Sequence, residues 1–113
     1  MTTLDFADLK AEADRTHAGK GLKFIAASGK KVRLRRIEAL PGGDLKAALA
    51  LLDVVQSEKV SNERRIDAMS GLLVAVASDK KAMRESVDAL PLPEQMKILE
   101  RWMEQAAPGE AAA

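Results

Sequence analysis

The strongest regularity in the chain lies between Arg64 and Ser78. Ile66, Met69, Leu72, Leu73 and Val76 recur at helical offsets and form one stripe. Val74, Ala75 and Ala77 widen that stripe until its second half is apolar nearly all round, within an uncharged run of 11 residues from Ala68 to Ser78. A helix of this kind is buried on more than one side. It is therefore predicted to be the central element, capped by Ser61 or Asn62. Gly71 costs about 1 kcal/mol relative to alanine inside a helix, and close approach of a neighbouring backbone would account for it.

The flanking patterns are thinner. Leu45, Ala48, Leu49, Leu52 and Val55 make one face of a helix from Asp44, read as its N-cap, to about Gln56. Ser78-Asp79 ends the central helix and caps the next, Lys80 to about Ala89, with Ala82, Met83, Val87 and Leu90 as its stripe. Pro93 and Glu94 suit the first turn of a last helix that runs to about Ala106. There Met96, Leu99, Trp102 and Met103 share a face, and Ile98 widens it. At the other end, Leu4, Phe6, Leu9 and Ala13 mark a short helix with Thr3 as N-cap. Between Leu22 and Ile37 the period changes. Val32 and Leu34 alternate with Arg33 and Arg35, and Ser28-Gly29 supplies a turn, so a β-hairpin is predicted across 22–37. Two strands are marginal alone, so its apolar face must rest on the helices or on another copy. The fold class that follows is mainly α: a small helical domain of four to five helices with a short N-terminal β-hairpin. One domain is expected over 1–107, with a disordered tail at 108–113.

Composition narrows the chemistry. A chain of 113 residues supports one modest core. Its only aromatic residues are Phe6, Phe24 and Trp102, so that core must be aliphatic. With no cysteine and a single histidine, His17, it lacks disulfides, thiolate metal sites and the usual zinc clusters. Its carboxylates lack metal-ligand spacing, and its glycines form neither a phosphate loop nor a dinucleotide fingerprint. No catalytic residue, cofactor or metal is expected, and the chain is read as a non-enzyme. The N-terminus carries acids where a signal peptide carries bases, and the uncharged run is too short to span a bilayer. A cytoplasmic protein without membrane contact is expected.

Two features point to partners. From Arg15 to Ile37 there are eight bases and no acid. Lys30, Lys31, Arg33, Arg35 and Arg36 are candidates for self-association or another basic contact, gripping an acidic protein surface such as another copy. Phosphate binding is an alternative, but strand-borne readers of nucleic acid add aromatic stacking, and only Phe24 is available. The second feature is the block from Leu90 to Met103. Leu90, Leu92, Met96, Ile98, Leu99, Trp102 and Met103 form a wide apolar arc, with Trp102 at a margin suited to anchoring an interface.

The order of parts resembles the tail assembly chaperones of long-tailed (siphovirus-type) bacteriophages, especially those of actinobacterial hosts. The shared features are the Leu4-Asp5-Phe6 segment, the short hairpin, the Leu40-Pro41 linker and a helical body. The ending is the most similar part: Leu90-Pro91-Leu92-Pro93-Glu94-Gln95, a terminal helix with Trp102, and Gly109-Glu110. The resemblance implies a protein that coats the tape measure protein, keeps it soluble before tail-tube polymerisation, and is absent from the finished virion. It also implies a longer product made by programmed frameshifting, whose added domain recruits tail tube protein. Ala107-Pro108-Gly109 is codable as a slippery C-CCG-GGN sequence. Expected partners are thus the tape measure protein, the tail tube protein through that longer form, and further copies of the chain. The alternatives are a small nucleic-acid-binding protein and a structural tail or connector subunit.

Overall fold

Ser61 starts the central helix: its hydroxyl accepts the Arg64 N–H at 3.2 Å and satisfies one of the free donors of the first turn. In the computed structural model, which describes residues 3–17 and 20–105, this helix is α3 (Asn62–Val76). It follows α1 (Phe6–His17), the antiparallel strands β1 (Leu22–Ile25) and β2 (Lys31–Leu34), a 3-10 turn (Ile37–Ala39) and α2 (Gly42–Gln56). It precedes α4 (Lys80–Ala89) and α5 (Leu92–Gln105). The chain is mainly helical with one short hairpin near its N-terminus, as its periodicities predict. The tail expected at 108–113 lies outside the described residues.

The second half of α3 is buried from Leu72 to Val76 without a break, and α2, α4 and α5 all pack on this helix. Gly71 does face a close neighbour, but it is the Leu51 side chain of α2 and not a backbone: a Cβ there would lie 3.3 Å from Leu51 Cδ1. Met83, Val87, Leu99 and Trp102 close the far side of the core. Asp79 caps α4 by accepting the Ala82 N–H at 3.0 Å.

The hairpin is shorter than 22–37. Strand pairing stops at Leu34, and the chain then turns through Ile37–Ala39. Leu22 pairs with Leu34 and Phe24 with Val32 on the covered face; Lys23 pairs with Arg33 and Ile25 with Lys31 on the other. Gly29, at φ +87°, closes a three-residue turn of the kind that needs a left-handed residue. The Ala27 N–H of that turn donates to the Ser86 hydroxyl at 2.8 Å, pinning it to α4. The free edge of β2 is met by the link between α3 and α4. Arg35 N–H donates to Val76 O at 2.9 Å, and Ser78 N–H to Arg33 O at 2.8 Å, around a bridge between Leu34 and Ala77. This third partner makes a two-stranded element viable.

Gly21 at φ +97° enters β1 with its Cα against that same strand; a Cβ would lie 2.5 Å from Leu34 O. Gly21→Ala is expected to cost about 2 kcal/mol from strain and forced displacement, read as a drop in the urea midpoint.

Two helix starts differ from expectation. Asp5, not Thr3, holds the start of α1: its carboxylate accepts the Ala7 N–H at 3.2 Å and its carbonyl accepts the Leu9 N–H. Helix α2 begins at Gly42 after Pro41, so Asp44 lies in the first turn and is not the cap. Its carboxylate is turned to Arg35 at 3.0 Å and Lys80 at 3.1 Å instead.

Candidate docking groove and basic face

The arc predicted on Leu90–Met103 is divided by the fold. Trp102 is 1% exposed, and its indole N–H donates to Arg35 O at 2.8 Å. The expected interface anchor is therefore a core residue. Leu99 is also buried, while Ile98 packs against the core from the edge. Leu90 is half-buried and caps α4, its N–H donating to Val87 O. Leu92, Met96 and Met103 stay exposed, at 37%, 46% and 39%.

Leu92 and Met96 form one wall of an apolar groove of about 400 Å³. Val55 of α2 and Ile66 of α3 stand opposite; Met69 and Leu99 are buried at its base; Asn62, Arg65 and Glu100 form a polar rim. The periodicity of α3 sets Ile66 on the buried stripe, yet it is 38% exposed and lines the open groove with Leu92 and Met96. Helical spacing defines a face but not how far along that face the covering element extends.

Gln95 is a residue the sequence does not advertise. It is buried, its amide N–H2 donates to Val87 O at 3.0 Å and Leu90 O at 2.9 Å, and its carbonyl accepts the Ser70 hydroxyl at 2.7 Å. It thereby fixes the Leu90–Pro91 link and sets the angle at which α5 flanks the groove.

The basic residues divide in the same way. Arg35 is a structural residue, not a free contact: its guanidinium donates to Ala75 O, Val76 O and Ala77 O at 2.9–3.2 Å and to the Asp44 carboxylate. These carbonyls end α3, where helices lack internal donors and the dipole favours a cation. Arg36 pairs with Glu38 at 2.7 Å, and Arg33 donates to Lys20 O at 3.1 Å. Lys30 and Lys31 are exposed, as a contact role requires. No group of three or more His, Asp or Glu residues among the described residues could hold a metal, and no described helix is long and apolar enough to cross a membrane.

No family model, curated protein or solved structure matches the chain.

The groove and the Arg35 centre differ in chemical character. The groove is open and apolar, and Met96 gives it an adaptable wall, since an unbranched thioether repacks against varied surfaces. The Arg35 centre is fully engaged. The Lys80 ammonium, followed by the Arg35 guanidinium, holds the Asp44 carboxyl below the ordinary carboxylate range. A depressed folded-state pKa gives stability that is complete above the unfolded value of about 3.9 and is lost as pH falls through the folded value. Asp44→Asn is accordingly expected to destabilise at neutral pH and to flatten the fall in stability below about pH 4. Urea midpoints across the acid range measure this.

Proposed function

We propose that this chain is a phage tail assembly chaperone that holds apolar helical segments of a tape measure protein in the groove between α2, α3 and α5. The groove carries the reading: a preformed apolar channel walled by Leu92 and Met96, beside an ending whose sequence resembles that family. Ile66, Leu92 and Met96 are each a little over one third exposed or more. Covering what remains of each is worth about 0.5–1 kcal/mol, so one groove binds a helix weakly, at roughly ten millimolar or above. Weak sites repeated over many copies along a long client give strong collective coverage. They also allow displacement when tail tube subunits arrive, delivered through a longer frameshifted product. The protein acts in the host cytoplasm without catalysis and is absent from the finished virion. A phosphate grip has less support, because Arg33, Arg35 and Arg36 are bound within the chain.

Co-expression with the tape measure protein tests this. The native chain is expected to keep the client in the soluble fraction. Leu92→Glu with Met96→Glu is expected to lose that effect while its melting temperature changes by no more than about 4 °C, because both side chains are already exposed. A client equally soluble with no chaperone, or with the double variant, contradicts the proposal.

A further inference from the structure

Helix α1 buries none of its residues: Phe6 is 79% exposed and Leu9 48%, and Leu4 just before the helix is 78% exposed. A 12-residue helix is marginal alone in water, so its apolar side needs a cover. Helical geometry sets Phe6, Leu9 and Ala13 on one side, with Asp5, Asp8 and Glu12 on an adjoining stripe. Across from α1 lies the outer face of the hairpin. It presents Lys23 beside Arg33 and Ile25 beside Lys31, with Ile25 61% exposed. Between them is a trough of about 1040 Å³, walled by Phe6, Ala13 and His17 and floored by Lys23, Ile25 and Lys31. Of the acids of α1 only Asp14 lines the trough, and it is paired along its own helix with Lys10 at 3.0 Å; Asp5, Asp8 and Glu12 do not line it. Neither these last three acids nor Lys23 and Lys31 take part in an ion pair among the described residues.

We propose that the trough is filled by α1 of a second copy, whose Phe6 and Leu9 cover Ile25 while its Asp5, Asp8 and Glu12 meet Lys23 and Lys31. The exchange is reciprocal. Each copy supplies one acidic-apolar helix and one basic-apolar floor, and the two α1 helices lie side by side about a two-fold axis. The unpaired acids beside the apolar side of α1 complement the unpaired bases of the floor in charge, which is what selects this helix as the occupant. This interface is separate from the groove and does not depend on the identity of the client.

Sedimentation velocity on the purified chain, without client, tests the proposal. The native protein is expected to form a dimer that weakens in about 0.5 M salt. Lys23→Glu with Lys31→Glu, and separately Asp8→Lys with Glu12→Lys, are each expected to weaken it by about tenfold or more. Mixing the two charge-reversed proteins restores both complementary contacts in a heterodimer, which also shows that each variant is folded. A native monomer at about 100 µM, far above the Kd of a specific pair, would overturn the proposal. So would a dimer indifferent to both reversals, or two variants with native circular dichroism that fail to associate when mixed. Nucleic-acid binding that requires Lys23 and Lys31 in a chain that stays monomeric would overturn it as well.

Discussion

Replacing Trp102 with alanine is expected to lower the unfolding free energy by about 4 kcal/mol. The side chain is 1% exposed and is the largest fully buried one in the core. Truncation leaves a cavity between α5 and the hairpin and strips the Arg35 carbonyl of its donor, the Trp102 indole N–H at 2.8 Å. A domain of this size has only about 5–15 kcal/mol in total, so a large share of its stability goes. Trp102→Phe keeps most of the packing and loses the hydrogen bond, and is expected to cost about half as much. Urea denaturation followed by circular dichroism measures both. A loss below about 1 kcal/mol together with a changed oligomer size would move Trp102 to an interface.

Arg35→Met is expected to cost about 3 kcal/mol. The methionine keeps an aliphatic stem in place of the arginine stem. It leaves the carbonyls of Ala75, Val76 and Ala77 without their side-chain donor and Asp44 without one of its two cations. The side chain is 21% exposed, so water recovers part of the loss, and the estimate already allows for that. Arg35→Lys is expected to recover less than half. An ammonium is a point charge and does not span three carbonyls and a carboxylate as a planar fork does. Hydrogen exchange gives an independent reading: amides at the end of α3 and at Arg35 and Ser78 should lose protection before those of the first turns of α3. Uniform loss of protection would mean that Arg35 acts through global stability alone.

These two residues mark the boundary of what the sequence reveals. Helices α3, α4 and α5 are legible because their signals are local. Ser61 and Asp79 sit within three residues of the N–H groups they cap, and Pro93 suits a first turn. The hairpin is legible because Val32 and Leu34 alternate with charge, although its end at Leu34 is not. Arg35 reads as one base in a basic run, since its carbonyl partners lie 40–42 residues away and backbone oxygens carry no residue code. Asp44 reads as a cap because Asp commonly caps helices, yet two distant cations claim its carboxylate. The groove was half legible. Leu92 and Met96 follow from the pattern on α5, whereas Val55 and Ile66 read as ordinary core positions, and only the packing of three helices shows them lining an open groove. For Trp102, spacing alone does not decide between core and interface, because both demand the same apolar face.

The most direct test of the groove is a photocrosslink. A benzophenone amino acid placed at Met96 should form a covalent adduct with co-expressed tape measure protein. One placed at Glu85, on the exposed side of α4, should give little. Adducts from Met96 that map to apolar helical segments of the client are the predicted result. A complex that forms normally but crosslinks only through Glu85, or equally through both positions, would contradict the assignment of the groove as the client site.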